Sequence, residues 1–265
     1  MSEPALSQDD YQSPYRVKFS FPPEELYAPD NYPPRNNPCE ESSTPYDEWY
    51  SMRTRKKFGA WGPQSRHYPP IANYDQAPAT WKRQRVLAVA VHWIGLPYQH
   101  HHIPDWDPPS SWPWKKVAYG RNSKGVDCSD FTSWLYNYGL GIKLNTGIKQ
   151  QAMDTKIPRP GDDGFTEARV IRDDNGYDTL VRELKAGDLL YIKNNQGELA
   201  HVIMWVGSHG FSPDGAPLII DCTGSNHYDC NGVQIPIGVR LRPFLKDSWY
   251  YRSFSHAHRL IRDEG

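Results

Sequence analysis

The chain has 265 residues, which suits one sizeable domain with elaborations and is ample for a full hydrophobic core. Its 30 Lys and Arg residues against 31 Asp and Glu give a formal net charge of -1, so no charge excess favours nucleic acid or an anionic membrane surface as the main partner. The longest mainly apolar run, Val86 to Leu96, contains His92 and is about half the length a transmembrane segment needs, so none is expected.

The opening residues, MSEPALSQDD, lack the basic start and apolar stretch of a secretory signal. Residues 1–78 are rich in Pro, Tyr, Asn, Asp and Ser with little periodicity, which predicts an irregular N-terminal extension. Phe19, Phe21, Tyr27, Tyr32, Trp49, Tyr50, Phe58 and Trp61 give it more aromatic surface than a solvated tail carries. Two roles are open: wrapping the body of the protein, or linking it to a lost signal or lipid anchor.

From Thr80 the pattern changes. Trp81, Arg85, Ala88, Val89, His92 and Trp93 recur at helical spacing and predict a helix over about 81–94, with Thr80 as N-cap and Gly95-Leu96-Pro97 as the stop. Residues 97–124 read as a long loop. Phe131, Trp134, Leu135 and Tyr138 then repeat at three and four residues up to Gly139 and Gly141, which places Cys128 in or just before the first turn of a second helix. Residues 188–192, 201–207 and 217–221 are β-rich runs bounded by turn residues, and 233–241 and 255–261 look like two more. Two helices followed by an antiparallel meander predict an α+β domain over residues 79–265, with helices packed on one face of a mainly antiparallel β-sheet.

Of four cysteines, Cys222 and Cys230 flank a short loop and can pair in an oxidising compartment, whereas Cys39 lies in the irregular N-terminal region. No C-x-x-C pair exists, which argues against a structural zinc site. Cys128 is the distinctive one. A thiol at a helix N-terminus feels unpaired N–H groups and the positive end of the macrodipole, which favour the nucleophilic thiolate. Its polar flank, Asp127 with Ser129 and Asp130, differs from the apolar surroundings of an inert core cysteine, although a buried structural role is the alternative. Asp127 and Ser129 are candidates to cap the helix or to bind substrate.

A cysteine nucleophile needs a base and a group to orient that base. His201 opens the strand HVIMWVG, and Asp221 closes the next strand, LIID, so the two can meet at one edge of a meander. A lone strand histidine or a turn-capping aspartate is weak evidence by itself. Cys, His and acid together form a testable constellation.

Residues 86–260 resemble the NlpC-type cell-wall cysteine endopeptidases, a branch of the papain-like superfamily. VLAVAVHWIGLPY is similar to the family's first helix and G-x-P-Y, GVDCSDF to its nucleophile motif D-C-S-G-F, and Leu144 with Gln150 to the segment after that helix. LKAGDLLYI, AHVIMWVG and IIDCTGS resemble three further blocks in the family's order. The resemblance implies a papain-like fold, Cys128 as nucleophile, His201 as general base and acid, and Asp221 as the residue orienting His201. It implies Tyr98 beside the nucleophile, with Asp127 and Ser129 reading the free amino end of a substrate. The substrate implied is a peptidoglycan stem peptide, cut between D-γ-glutamyl and a diamino acid through a thioester, with no cofactor and no nucleic acid. A wall hydrolase further implies export, periplasmic or extracellular, with the leader trimmed; a cytoplasmic protein or a secreted effector is the alternative.

Several positions depart from the family pattern. Asp130 stands where the family has a small Gly, and can perturb the thiol or bind a substrate ammonium. His100, His101 and His102 replace the usual Gly-Gly, Asp221 stands where His is more common, and Lys143, Asn145 and Thr146 surround the Gln150 segment without its proline. The His run with Asp105 is metal-competent, but adjacent histidines diverge, so these residues are read as the rim of a cleft. Trp106, Trp112 and Trp114 are read as stacking surface or loop packing. Alternatives to hydrolysis are a thiol acyltransferase or deamidase, or a silent wall-binding module.

Overall fold

The computed structural model describes residues 11–27, 37–72, 74–112, 123–158 and 164–263. Tyr32 and Trp114 lie outside them. In the N-terminal part, strand β1 (Arg16–Val17) and helices α1 (Pro23–Tyr27) and α2 (Met52–Phe58) are short. Helix α3 spans Ala79–His92, two residues earlier than its periodicity predicts. Its N-cap is Pro78 and not Thr80, because Pro holds φ at -59° in an extended conformation that turns directly into the helix, leaving Thr80 inside the first turn.

Arg83, Gln84 and Arg85 in α3 are buried, which a half-exposed helix would not tolerate. Arg83 donates to the Ala186 carbonyl at 2.9 Å, and the N-terminal segment supplies partners for the other two. Gln84 Oε1 accepts from the Ser20 amide at 2.7 Å, and Arg85 Nη1 donates to the Leu26 carbonyl at 2.9 Å. Across the helix, Arg85 Nε donates to the Gly139 carbonyl at 2.9 Å, tying α3 to helix α4 (Cys128–Leu140). Every residue of α4 is buried. It ends at Gly141, in the left-handed region at φ 72°, where a Cβ would come within 2.5 Å of Pro70 backbone.

Beyond α4 come helix α5 (Ile148–Met153), strands β2 (Lys156–Pro158), β3 (Phe165–Glu167) and β4 (Arg169–Ile171), and helix α6 (Tyr177–Glu183). The main strands follow as β5 (Leu189–Lys193), β6 (Leu199–Trp205), β8 (Leu218–Thr223) and β11 (Gly238–Pro243). Short strands β7 (Gly210–Phe211), β9 (His227–Tyr228) and β10 (Gln234–Ile235) lie between them. Helix α7 (Trp249–Arg252) and strand β12 (Phe254–Arg259) complete the set.

The sheet has six antiparallel strands in the order β11-β8-β6-β5-β12-β4. Four consecutive strands thus form the expected meander, while β12 returns to pair with β5 and carries β4 outside it. The domain is α+β, with helices packed on a mainly antiparallel sheet. Alternation along the strands divides the core. Leu189, Tyr191, Val202, Met204, Ile220 and Cys222 face α3 and α4, whereas Leu190, Ile192, Ile203, Trp205 and Ile219 face the opposite layer. Leu180 of α6 and Tyr250 of α7 pack in that second layer, so helices cover both faces and not one. These two helices are short, and their apolar residues too few for the helical period to emerge from the sequence.

No helix among the described residues is long and apolar enough to cross a membrane. Cys39, Cys128, Cys222 and Cys230 are all free thiols. Cys222 lies inside β8 and donates its Sγ–H to the Val126 carbonyl at 3.1 Å, whereas Cys230 is exposed in a turn, so the sequence-suggested pair does not form.

Candidate active site

The chain enters α4 through a short parallel bridge between Tyr98 and Val126, where Gln99 N donates to the Val126 carbonyl at 3.0 Å. Asp127 then caps the helix. Its Oδ1 accepts from Ser129 N at 3.0 Å, Asp130 N at 2.9 Å and the Ser129 hydroxyl at 3.1 Å. Cys128 is therefore the first helical residue, with its thiol at the positive end of a helix of 13 residues. Ser129 Oγ also donates to the Thr146 carbonyl at 2.7 Å, docking the following loop onto this turn.

His201, on β6, lies near enough to the Cys128 thiol for that group to act on its charge. Its Nε2 lies 2.9 Å from Asp221 Oδ2 on the neighbouring strand β8. Met204 pairs with Ile220, so the antiparallel register brings the start of β6 beside the end of β8 and sets these side chains together. An ionised Asp221 can only accept, so Nε2 carries the proton and Nδ1 remains for the thiol. Burial alone would lower the His201 pKa; the neighbouring Cys128 charge and the bond to Asp221 outweigh it and push it up to about 10.

Asp221 is fully buried, and three groups satisfy it besides the fold. Arg242 Nη1 donates to Oδ1 at 2.5 Å, while the Tyr250 hydroxyl donates to Oδ2 at 2.9 Å beside His201. Burial opposes the charge, yet Arg242 and then His201 hold the carboxyl down to about 2. The Tyr250 proton is committed to Asp221, so the hydroxyl oxygen accepts from His227 Nε2, 3.1 Å away. His227 stacks on Tyr250 at 4.7 Å, and burial pushes its pKa down to about 4. The Trp249 ring lies 5.8 Å from that of His201.

Sequence reasoning missed Arg242, Tyr250, His227 and Trp249. The available signal was Asp221 itself: a carboxylate inside the apolar run LIIDCT needs a buried cation, and Arg240 and Arg242 alternate on the next strand, with Arg240 directly opposite Asp221.

The remaining candidates surround Cys128. Tyr98 packs so closely over Gly224 that a Cβ there would fall 2.9 Å from the ring, and burial followed by the Cys128 charge raises its pKa. Asp127 Oδ2 faces His100 Nδ1 at 3.4 Å, and Asp130 Oδ1 faces His102 Nδ1 at 2.9 Å. Burial opposes the charge on Asp127, but His100 and the capping N–H groups hold its carboxyl below the usual range. Asp130 lacks those donors; burial and the Asp127 charge push it up to about 7. His101 is buried against Trp106 at 4.6 Å, and burial between two other imidazoles pushes it down to about 3. No cluster of three metal-ligating side chains occurs among the described residues.

Trp61 of the N-terminal part stands against His100 and His102, with ring centroids at 6.3 and 6.2 Å. From there the segment follows α4 to its far end, where Asn137 Nδ2 donates to the Arg66 carbonyl at 2.7 Å and His67 Nε2 donates to the Gly141 carbonyl at 3.0 Å. The glutamine that organises the loop after α4 is Gln151 and not Gln150. Gln151 is buried and joins Thr132, the Ser129 carbonyl and the Asn145 carbonyl, whereas Gln150 is exposed and donates to Asp154. The helical frame of α5, set by Gly147 as N-cap, turns Gln151 inward.

Residues 115–213 match the model described as the NlpC/P60 family, a span that includes Cys128 and His201 and stops before Asp221. The resemblance read from the sequence is borne out over that span. No curated protein matches the chain. Among solved structures, an NlpC/P60 family protein from Bacillus cereus ATCC 10987 aligns at 19% identity and TM-score 0.39, over 75% of this chain and 43% of its own. NlpC1 from Trichomonas vaginalis aligns at 16% identity and TM-score 0.36, over 68% of this chain and 44% of its own. The NlpC/p60 domain of the peptidoglycan hydrolase SagA aligns at 19% identity and TM-score 0.35, over 66% of this chain and 96% of its own. The chain thus spans less than half the length of the first two.

Proposed function

From the NlpC/P60 match, we propose that this protein is a cysteine endopeptidase of peptidoglycan stem peptides, cutting the amide between D-γ-glutamyl and a diamino acid. The observation that carries the reading is Cys128 at a helix start, within electrostatic reach of an imidazole whose Nε2 is held by Asp221. Residues 79–265 form the catalytic domain in this reading, and residues 1–78 an extension applied to it. Action on a cell wall places the protein outside the cytoplasm, in the periplasm or beyond the cell.

The roles follow from the geometry. The Cys128 thiolate attacks the amide carbonyl, and the Cys128 backbone N–H at the helix start donates to the developing oxyanion. The C–N bond breaks as His201 delivers its Nδ1 proton to the departing amine, leaving a thioester on Cys128. Neutral His201 then takes a proton from water, whose oxygen attacks the thioester, and the thiolate leaves with the imidazolium restored beside it. Asp221 keeps the ring in the required tautomer throughout.

Digestion of defined muropeptides by the unaltered protein and by Cys128→Ala tests the proposal. The expected products are a fragment ending in D-glutamate and one beginning with the diamino acid, both absent with Cys128→Ala. Cleavage retained by pure Cys128→Ala, or no cleavage of any stem peptide by the unaltered protein, overturns it.

A further inference from the structure

The acids beside the nucleophile are already matched. Asp127 spends Oδ1 on the helix cap and faces His100 with Oδ2, while Asp130 faces His102. Among the described residues, unmatched positive charge lies beside the loop that docks on this helical turn. A groove of about 290 Å³ runs between the N-terminal segment at Gln64, the loop Lys143–Thr146, and strand β2. Its floor is bound directly to the nucleophile's neighbour, since the Thr146 carbonyl accepts the Ser129 hydroxyl.

Lys143 is half-buried in this groove. Its ammonium donates to the Ser65 carbonyl at 2.6 Å, and burial lowers its pKa with no carboxylate among the described residues opposing the shift. An ammonium removed from water without a counter-charge is costly. Lys156, exposed on the opposite lip, also has no ion-pair partner among the described residues. Glu167, which pairs with Lys156 across the strands, is engaged by Arg262 at 3.3 Å. The one acid among the described residues lining the groove, Asp154, accepts from Gln150 Nε2 at 2.5 Å. Asn145 and Gln64 add neutral amides.

We propose that this groove is a subsite for a carboxylate of the peptide substrate, gripped between Lys143 and Lys156. The volume suits one amino-acid residue, and the two ammonium groups supply charge-assisted donors that a carboxylate can accept together. Its identity as a substrate subsite rests on the peptidase reading; the binding of a peptide carboxylate there does not. The N-terminal segment contributes Gln64 and, through Ser65, the position of Lys143, so it helps build the subsite.

Calorimetric binding to Cys128→Ala separates the two. The probes are a synthetic stem tetrapeptide as the free acid and the same tetrapeptide with its carboxyls converted to carboxamides. The free acid is expected to bind about tenfold more tightly, with the difference lost in Lys143→Gln and in Lys156→Gln and kept in Lys143→Arg. Lys156→Gln lies on the surface and guards against a folding defect in the Lys143 variant. Equal affinity for the two probes, no binding of either, or a preference unchanged by both glutamine variants overturns the proposal. A chain that binds the acid selectively but cleaves nothing keeps the subsite and loses the peptidase.

Discussion

His201 Nε2 and Asp221 Oδ2 lie 2.9 Å apart, and the other oxygen of that carboxylate is held by Arg242. Asp221 is therefore shared between an imidazole and a guanidinium, and the two demands can be separated. Asp221→Asn keeps the shape but leaves Arg242 charged, buried and facing a neutral amide. The expected result is a stability loss of about 3 kcal/mol in denaturant unfolding. Muropeptide cleavage should fall by about a hundredfold or more, because the amide no longer enforces the His201 tautomer. An unaltered unfolding midpoint together with an unaltered rate would show that neither role is exercised.

The same carboxylate fixes an acid limb of stability. Its folded pKa of about 2 lies below the ordinary value of 3.8, so the stabilisation is complete above about pH 4 and disappears as pH falls through about 2. A difference of nearly two pH units corresponds to roughly 2 kcal/mol at neutral pH. Stability measured against pH should show the unaltered protein losing its advantage over Asp221→Asn across that window. A constant gap down to pH 2 would contradict the assignment.

Tyr250 offers a milder test of the same network. Tyr250→Phe removes the hydroxyl that donates to Asp221 and accepts from His227, without removing the ring that packs in the second core layer. A stability loss of about 2 kcal/mol is expected, typical of a hydrogen bond to a charged acceptor. His227 loses an acceptor but stays stacked. Combining Tyr250→Phe with His227→Gln should therefore cost less than the two single changes added together, which a double-mutant cycle in urea measures. Strict additivity would mean the two side chains do not act as a pair.

The helix start at Cys128, the strands carrying His201 and Asp221, and the α+β class were legible because periodicity and turn residues report local structure directly. The support of Asp221 was not, since Arg242 and Tyr250 lie 21 and 29 residues away and meet it only through strand order and the placement of α7. Asp130 shows a subtler limit: its chemistry depends on His102, delivered by a loop 28 residues earlier. The aromatic content of residues 1–78 hinted at packing, but the path of Trp61 to His67 along α4 depends on contacts with residues far away in sequence. Nothing local in Gln150-Gln151 reveals which side chain turns inward, because that depends on where α5 begins.

Asp130 should leave its own mark on the pH dependence. Its pKa, raised to about 7 by burial and by Asp127, means that folding favours the protonated acid. Stability is therefore withdrawn as pH rises from about 4 to about 7, and the raised pKa of His102 adds a further loss as pH rises past the ordinary histidine value. Asp130→Asn removes this titration. Relative to the variant, the unaltered protein should be most stable near pH 4 and progressively less so by pH 7, and a gap of the opposite slope would show that the ion pair dominates over burial.

The N-terminal part can be tested through a single side chain far from the cleft. Leu26 is fully buried, and its carbonyl accepts from Arg85, the buried arginine that also ties α3 to the Gly139 carbonyl near the end of α4. If the segment is part of the same cooperative unit, Leu26→Ala should lower global stability by about 2–5 kcal/mol, as for other buried leucines truncated to alanine. One transition should remain, with fluorescence and circular dichroism reporting the same midpoint. A separate early transition, with the remainder unfolding at its original midpoint, would instead mark the helix carrying Leu26 as part of a detachable layer. Loss of thiol reactivity at Cys128 would then be expected to accompany only the later transition.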